Sequence, residues 1–342
     1  MTRRLVSVVV PCRNEAGHID DFLAAVAAQQ LPPGLVLEIV VADGDSDDGT
    51  RPRLDAFAAA DPRLRVIDNP ARITSAALNR AVAAATGEVI IRMDVHTTYA
   101  PDYVAQCVRV LDDTGATCVG GAWRPIGRGW PQAAIARAFE SRFGSGGAAS
   151  RRAGHDGPVD TVYLGCWRRA DLLALGGFDE ALVRNQDDEL ALRIVRGGGQ
   201  VWQSPAIRSW YAPRASFQAL FRQFYQYGYW KVAVIRKHRL PASPRHLVPF
   251  LLVATLAVLF LASLAWPPAS LLLLVLLLLY GGAALQQAAR LAPPWRDLRE
   301  TLGIAGSFAC MHFGYGLGFG QALFDTLVLR RPPGAVATRL TR

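Results

Sequence analysis

LVSVVVPCRNEAGHID, residues 5–20, is the stretch from which the rest of the chain is read. Its first six residues are a valine-rich strand pattern, Pro11 breaks the run, a polar loop follows, and an Ala/Leu-rich helical period takes over at 19–30. Two runs of the same kind recur, EIVVA at 38–42 and EVIIRM at 88–93, with helical periodicity at 75–85 between them. Strands that do not alternate in and out are buried on both faces. Strands of that type interleaved with helices predict an α/β fold with a parallel, doubly wound sheet. Ligands of such a sheet bind beyond the carboxyl ends of the strands, where helix N-termini and free backbone amides point. The loops at those ends read PCRNEAG (11–17), DGDSDDGT (43–50) and DVHT (94–97), all of them polar and acidic.

The chain has 342 residues, 51% hydrophobic and 19% charged, which excludes a disordered tail and leaves room for two domains. Its net charge of +9 is unevenly spread: residues 206–342 hold 15 Arg and Lys against 3 acids, so that stretch carries +12 and the first 205 residues −3. A basic stretch interleaved with long apolar runs points to an anionic membrane face, and no nucleic-acid-binding motif accompanies it. Five cysteines without CxxC spacing or a histidine cluster support neither a disulfide framework nor a zinc site, which fits a reducing compartment. The start MTRRLVSVVVPCRNE reads as a strand, not a secretory signal, because the apolar run is short and ends in charge.

Farther along, GSGGAASRRAGHDGP (144–158) is glycine-rich and aperiodic and reads as a mobile loop. Helical signal returns at 168–175 and 187–197. Residues 216–239 mix aromatics with bases and contain no acid, the composition of an interfacial helix. Eight bases lie between 206 and 245, each contributing on the order of 1 kcal/mol near an anionic leaflet. Residues 249–266 are uncharged and span about 27 Å as a helix, and 269–285 repeat the pattern, so together they predict a transmembrane hairpin. The run 301–324 is long enough to cross but carries His312 and several glycines. Arg290, Arg296 and Arg299 precede it and Arg330, Arg331, Arg339 and Arg342 follow, so a third crossing conflicts with the positive-inside rule, whereas a re-entrant or interfacial segment does not. The expected organisation is a catalytic domain over 1–210, an amphipathic interfacial helical region over 211–245 and a membrane domain over 246–342.

Three acidic positions carry the chemistry. Asp43 ends the second strand, where a carboxylate accepts a hydrogen bond from a nucleotide and glycines admit the backbone, although spacing alone suits an ordinary turn of capping aspartates as well. Asp94 ends the third strand, and His96 two positions on shares its face, a pair able to ligate one divalent cation together with diphosphate oxygens. Asp187 opens a helix within NQDDEL and is the candidate general base, while Asp188 and Glu189 read as helix-capping acids.

Taken in order, VSVVVPCRNEAGHID, VVADGDSDDGT, SAALNRAVAAATGEVIIRMDVH and GGFDEALVRNQDDELALR resemble the inverting family 2 glycosyltransferases of GT-A, nucleotide-sugar-binding fold. The likeness spans residues 5–205. From VDTVYLGCWRR through NQDDEL to RQFYQYGYWKV the chain resembles the bacterial glucosyltransferases of succinoglycan-type exopolysaccharide assembly, which extend a polyprenyl-diphosphate-linked sugar. The resemblance implies that Pro11, Asn14 and Glu15 line the nucleoside, that Asp43 meets the base with Asp48 supporting the turn, and that Arg72 and Asn79 shape the donor pocket. Asp94 takes the place of the first Asp of the D-x-D motif. His96 replaces its last Asp, so the imidazole either ligates the metal, Mg²⁺ or Mn²⁺, or hydrogen-bonds a phosphate. Asp187 matches the base of the E-D motif, with Gln186 where Glu is usual. Gln223 and Trp230 stand at a spacing unlike the Q-x-x-R-W box of processive members, which disfavours polymerisation. Arg222 and Lys231, with Gln223 and Trp230, are candidates for contact with the acceptor or a diphosphate, against plain headgroup attraction.

The expectation is a membrane-anchored, metal-dependent hexosyltransferase of the bacterial plasma membrane with its catalytic domain in the cytoplasm. It would transfer a sugar, glucose by the resemblance, from a UDP-sugar donor to a lipid-linked acceptor, beside polysaccharide assembly partners. Two alternatives stand: a polyprenyl-phosphate glycosyltransferase, whose phosphate acceptor needs no strong base, and a non-catalytic scaffold of an assembly complex. A dehydrogenase is disfavoured, since no G-x-G-x-x-G follows the first strand.

Overall fold

β1 (Arg4–Cys12) is an inner strand, and its side chains alternate between two separate cores. Val6, Val8, Val10 and Cys12 enter one, with Phe22 and Val26 of α1 (Ile19–Ala27), Leu54 of α2 (Thr50–Ala60) and Tyr103 and Leu111 of α4 (Tyr103–Thr114). Val9 enters the other, with Leu78 and Ala81 of α3 (Thr74–Ala84), Leu172 of α7 (Arg169–Ala174) and Leu190 and Ile194 of α8 (Gln186–Arg196). Burial on both faces is why the strand tolerates no polar alternation. Its buried polar side chain, Ser7, donates to Glu38 Oε2 at 2.5 Å and accepts from Gly87 N–H at 2.9 Å.

The computed structural model describes residues 3–241, 243–292 and 298–338. Two compact units make up the chain, Met1–Arg124 with Ala149–Tyr211, and Pro125–Ala148 with Ala212–Arg342. The remaining strands are β2 (Leu35–Asp43), β3 (Leu64–Asp68), β4 (Val89–Arg92), β5 (Thr97–Tyr99), β6 (Cys118–Gly121), β7 (Arg124–Pro125), β8 (Gly157–Pro158), β9 (Tyr163–Arg168), β10 (Val201–Gln203) and β11 (Ser209–Tyr211). The main sheet runs β3-β2-β1-β4-β9-β6-β10-β8, and a small one β5-β11-β7.

β1, β2, β3 and β4 are parallel, as the sequence predicts, but the sheet as a whole is not. β9 lies antiparallel between β4 and β6, so the predicted all-parallel sheet is corrected to a mixed one. Within β9, Leu164 (φ 68°) and Gly165 (φ 118°) kink the strand, and its register with β6 shifts between Val119 and Gly121, a bulge that the antiparallel ladder accommodates. The segment predicted as a mobile loop is also tied down. Residues 142–145 form α6 (Arg142–Ser145), and past it Gln203 Nε2 donates to the Arg152 carbonyl at 2.8 Å and Trp202 Nε1 to Asp156 at 2.8 Å.

In the second unit, α5 (Gln132–Glu140), α9 (Phe217–His238), α11 (Pro267–Leu291) and α12 (Leu298–Leu323) share a core of Ile135, Phe139, Leu220, Ala288, Phe308 and Met311. α9 and α12 meet along glycines. A Cβ at Gly228 would collide with the Tyr315 carbonyl, and one at Gly318 with the Tyr225 carbonyl, so only hydrogen allows the two backbones this close. No residue of α9 between 220 and 234 is exposed. α10 (Val248–Ser263) has no buried residue, and Pro244–Ser263 and Pro267–Leu291 are long and apolar enough to cross a membrane. α12 is unbroken over its 26 residues. A π-helical turn follows at Phe324–Val328, where Asp325 is buried under Tyr229 and Arg331, and α13 (Ala335–Thr338) ends the described chain. Arg296, Arg339 and Arg342, which entered the orientation argument, lie outside the described residues.

Candidate active site

The loops after β1 and β2 are stitched together by their own polar side chains. Asn14, in the left-handed region at φ 54°, donates through Nδ2 to Asp47 Oδ1 at 2.8 Å and accepts from Asp47 N–H at 3.0 Å. Its own N–H reaches Ser46 Oγ at 2.9 Å, and Ser46 in turn donates to Asp43 Oδ1 at 2.5 Å. Asp43 is thus a buried carboxylate at the strand end, with Arg51 at 3.7 Å on its other oxygen. Asp48 accepts from Ala16 N–H at 3.0 Å and from both Thr50 groups. Burial alone would raise its pKa, but these bonds to the charged form hold it below the usual carboxylate range. Glu15 N–H is bound by Thr50 Oγ1, and Pro11 sits opposite Ala42 in the ladder.

Beyond β4 the arrangement is tighter. Arg92, 5% exposed, points its guanidinium between two carboxylates: Nε donates to Asp94 Oδ1 at 2.8 Å, Nη2 to Asp94 Oδ2 at 3.0 Å, and Nη1 to Asp187 Oδ1. The Asp94 backbone is fixed as well, its N–H donating to Tyr99 Oη at 2.6 Å while that hydroxyl donates to the Asp94 carbonyl at 2.9 Å. Tyr163, whose hydroxyl lies 2.6 Å from Thr97 Oγ1, completes the wall. Burial and the nearby Asp94 charge push both tyrosines well above their ordinary pKa, so they stay neutral. A small hollow lined by Val162, Leu164, Trp167, Leu190 and Ile194 borders Asp187. That apolar wall desolvates the carboxylate, and the pKa is raised to about 6: Arg92 opposes the rise, while the charges of Asp94 and Asp188 add to it. The side chain keeps 38% of its surface open, so solvent moderates the shift.

His96 Nδ1 lies 3.2 Å from Glu15 Oε1, and its ring meets Tyr211 edge-on. Asp43, Ser46, Asn14, Glu15, His96, Asp94, Arg92 and Asp187 therefore form one run of neighbours along the carboxyl edge of the parallel strands, and the three acidic positions singled out in the sequence all belong to it. Arg72 (φ 60°) pairs with Asp45 across the loop after β2. Asn79 is turned elsewhere: its amide clamps the 178–180 loop through Phe178 N–H and carbonyl and Glu180, each at 2.8 Å. Among the described residues no three of His, Cys, Asp and Glu converge as a metal site.

Glu189 is not the capping acid expected. It is 0% exposed and gripped by Arg193 four residues on, while Arg193 also donates to the carbonyls of Leu175 and Gly177. The pair bolts the start of α8, and hence Asp187, to the loop before it. Gln186 is buried at the first position of that helix. Arg222, Gln223, Trp230 and Lys231 belong to the second unit. There Gln223 donates to Tyr227 Oη at 2.9 Å, the Trp230 indole to the Ala337 carbonyl at 2.9 Å, Lys231 is buried and Arg222 half-buried. Arg92 is the site residue the sequence reading passed over. An arginine inside the apolar run EVIIRM was the available signal, since a charge on an inner strand requires a partner.

A profile described as glycosyl transferase family 2 matches residues 7–170. The succinoglycan biosynthesis protein ExoA of Rhizobium meliloti is 37% identical over 255 residues, 73% of this chain and 76% of that protein. A dolichyl N-acetyl-glucosaminyl phosphate glucuronosyltransferase of Methanococcus voltae is 25% identical over 247 residues, 68% of this chain and 74% of its own. Among solved structures, a mannosyltransferase from Pyrobaculum calidifontis in complex with GDP-Man and Mn²⁺ superposes with a TM-score of 0.66 at 25% identity, covering 95% of this chain and 88% of that one.

Proposed function

The chain belongs to glycosyltransferase family 2, and on that premise we propose that it transfers a hexose, glucose from a UDP-sugar, with inversion to a hydroxyl of a polyprenyl-diphosphate-linked glycan. The observation that carries this reading is the grouping of Asp94, Arg92 and Asp187 at the edge of the sheet, beside the loop that buries Asp43. The acceptor oxygen bonds to the anomeric carbon as the bond from that carbon to the nucleoside diphosphate breaks, and the hydroxyl proton passes to Asp187. A base whose pKa stands near 6 is mostly ionised at neutral pH and still a competent acceptor, a match usually worth about 10²- to 10⁴-fold. Asp94 is held by Arg92 through both oxygens, which disfavours it as a covalent nucleophile and leaves one displacement with one base.

Asp43 and its loop bind the nucleotide, and Asp94 and His96 hold a divalent cation, Mg²⁺ or Mn²⁺, together with the donor diphosphate; the mannosyltransferase bound to GDP-Man and Mn²⁺ supports this. Such a cation supplies charge neutralisation for the leaving diphosphate. The two apolar helices anchor the protein in the bacterial plasma membrane, with the catalytic unit cytoplasmic. A second reading, transfer to a polyprenyl phosphate, gains support from a dolichol-phosphate mannosyltransferase of Pyrococcus furiosus, 24% identical over 37% of this chain, whereas the name of the Methanococcus voltae relative places its product on a lipid-linked sugar and sides with the first reading.

A donor screen by nucleotide diphosphate release, with membrane lipid extract and Mg²⁺ or Mn²⁺ and mass analysis of the lipid product, tests the proposal. UDP-glucose is expected to give a glycolipid one hexose heavier. Turnover that survives Asp187→Asn and yields a sugar on a bare lipid phosphate would replace the first reading with the second. Release with GDP-sugars alone would overturn the donor assignment.

A further inference from the structure

Arg92 is a buried cation shared by two acids that the reaction uses differently. It spends two of its three donor groups on Asp94, side-on, and the third on a single oxygen of Asp187. Two carboxylates this close repel in a low-dielectric setting, and without a cation one of them either protonates or swings away. The guanidinium bonds both acids, so the bridge joins the strand end that carries Asp94 to the helix that carries Asp187. Its geometry is rigid for a second reason: the planar guanidinium matches Asp94 in a two-bond fork, so the direction of the remaining Nη1–H is fixed by the strand that carries Asp94. Asp187, by contrast, sits at the start of a helix from another part of the chain, 95 residues away, and among its hydrogen bonds the contact with Arg92 is the one that orients the carboxyl group.

Building on the reading of Asp187 as base, we propose that Arg92 is a positioning residue of the transfer reaction: it holds Asp187 against Asp94 by one oxygen and leaves the second oxygen to take the proton of the acceptor hydroxyl. Arg92 touches neither donor nor acceptor in this role. It sets the angle at which the base meets the nucleophile, where small displacements cost rate steeply.

The test compares Arg92→Gln, Arg92→Lys, Asp187→Asn and the double variant Arg92→Lys/Asp187→Asn in the full-length, detergent-solubilised protein. Three readouts are taken: thermal midpoint, affinity for UDP with Mn²⁺ by calorimetry, and kcat separated from the donor KM. Arg92→Gln is expected to lose about 10²-fold or more in kcat, beyond whatever UDP affinity loses through the freed Asp94, and Arg92→Lys to recover part of that loss by a single bond to each acid. Because Arg92 acts through Asp187, the double variant is expected to be no slower than Asp187→Asn alone. The proposal is overturned if kcat of the arginine variants stays within about threefold of wild type, if UDP affinity falls while kcat holds, or if the double variant is slower than Asp187→Asn by the full arginine effect. Should Arg92→Gln not fold, the lysine variant and the double variant decide the matter by the same criteria. Failure of the premise is visible separately: if Asp187→Asn itself retains full turnover, the base assignment falls whatever Arg92 does.

Discussion

Asp187 and Asp48 are both carboxylates at helix starts, and their surroundings move them in opposite directions. Desolvation and neighbouring acids lift Asp187 to about 6, so kcat/KM for hydroxyl transfer is expected to fall about tenfold per pH unit below 6 and to level off above 7 in a pH–rate profile. Stability has the opposite sign at this residue. A pKa raised in the folded state contributes stability at acid pH that is lost as the pH rises through about 6, so an ionised Asp187 is held at some expense of stability. Asp48, lowered by the bonds from Thr50 and Ala16, stabilises the loop at neutral pH and stops doing so as the pH falls through its folded value. Asp43→Ala is expected to weaken UDP binding about tenfold or more while Asp187→Asn leaves it unchanged, a contrast that calorimetry resolves. Residue types and order single out Asp43, Asp94 and Asp187 as candidates, and the structure places all three along the carboxyl edge of the sheet. Arg92 and the Ser46–Asn14 stitching are not singled out in this way, because a partner 95 or 32 positions away leaves no periodic trace.

Two elements carry disproportionate weight in positioning. α8 is fastened by the Glu189–Arg193 pair, with Glu189 fully buried, so Arg193→Ala is expected to cost about 3–5 kcal/mol in a denaturant titration, far more than an exposed pair on a helix. The acidic run QDDE reads in sequence as capping chemistry alike for all its members. Only the turn of the helix, which points Glu189 inward and leaves Asp187 half-exposed, separates their tasks. The α9–α12 seam is the second. Gly318→Leu drives a side chain into the Tyr225 carbonyl and is expected to lower the thermal midpoint in detergent sharply, whereas the same change at Gly306, which has open space around it, is expected to leave the midpoint within a few degrees. The aromatic and basic composition of α9 predicts an interfacial helix, and the close approach at Gly228, Gly314 and Gly318 additionally seats it on α12.

Over the whole molecule, charge and hydropathy are divided along the sequence. Residues 206–342 carry +12 beside two helices of membrane length, one of them without a buried residue. The full-length protein is therefore expected to resist alkaline carbonate extraction from membranes. Once reconstituted, it is expected to show a lipid-composition dependence, its turnover rising with the anionic fraction of the vesicles and that gain disappearing at high salt, where the Debye length shrinks to about 3 Å. The sequence by itself determined the class of sheet unit, the family and the apolar helices, since these depend on local periodicity and on short motifs whose chemistry is fixed by residue type and order. Tertiary structure alone decided the antiparallel course of β9, the close seating of α9 on α12 and the grip of Arg92 on two acids. Each of these turns on which distant atoms come within a few ångströms, and that is set by the packing of the whole chain rather than by any stretch of it.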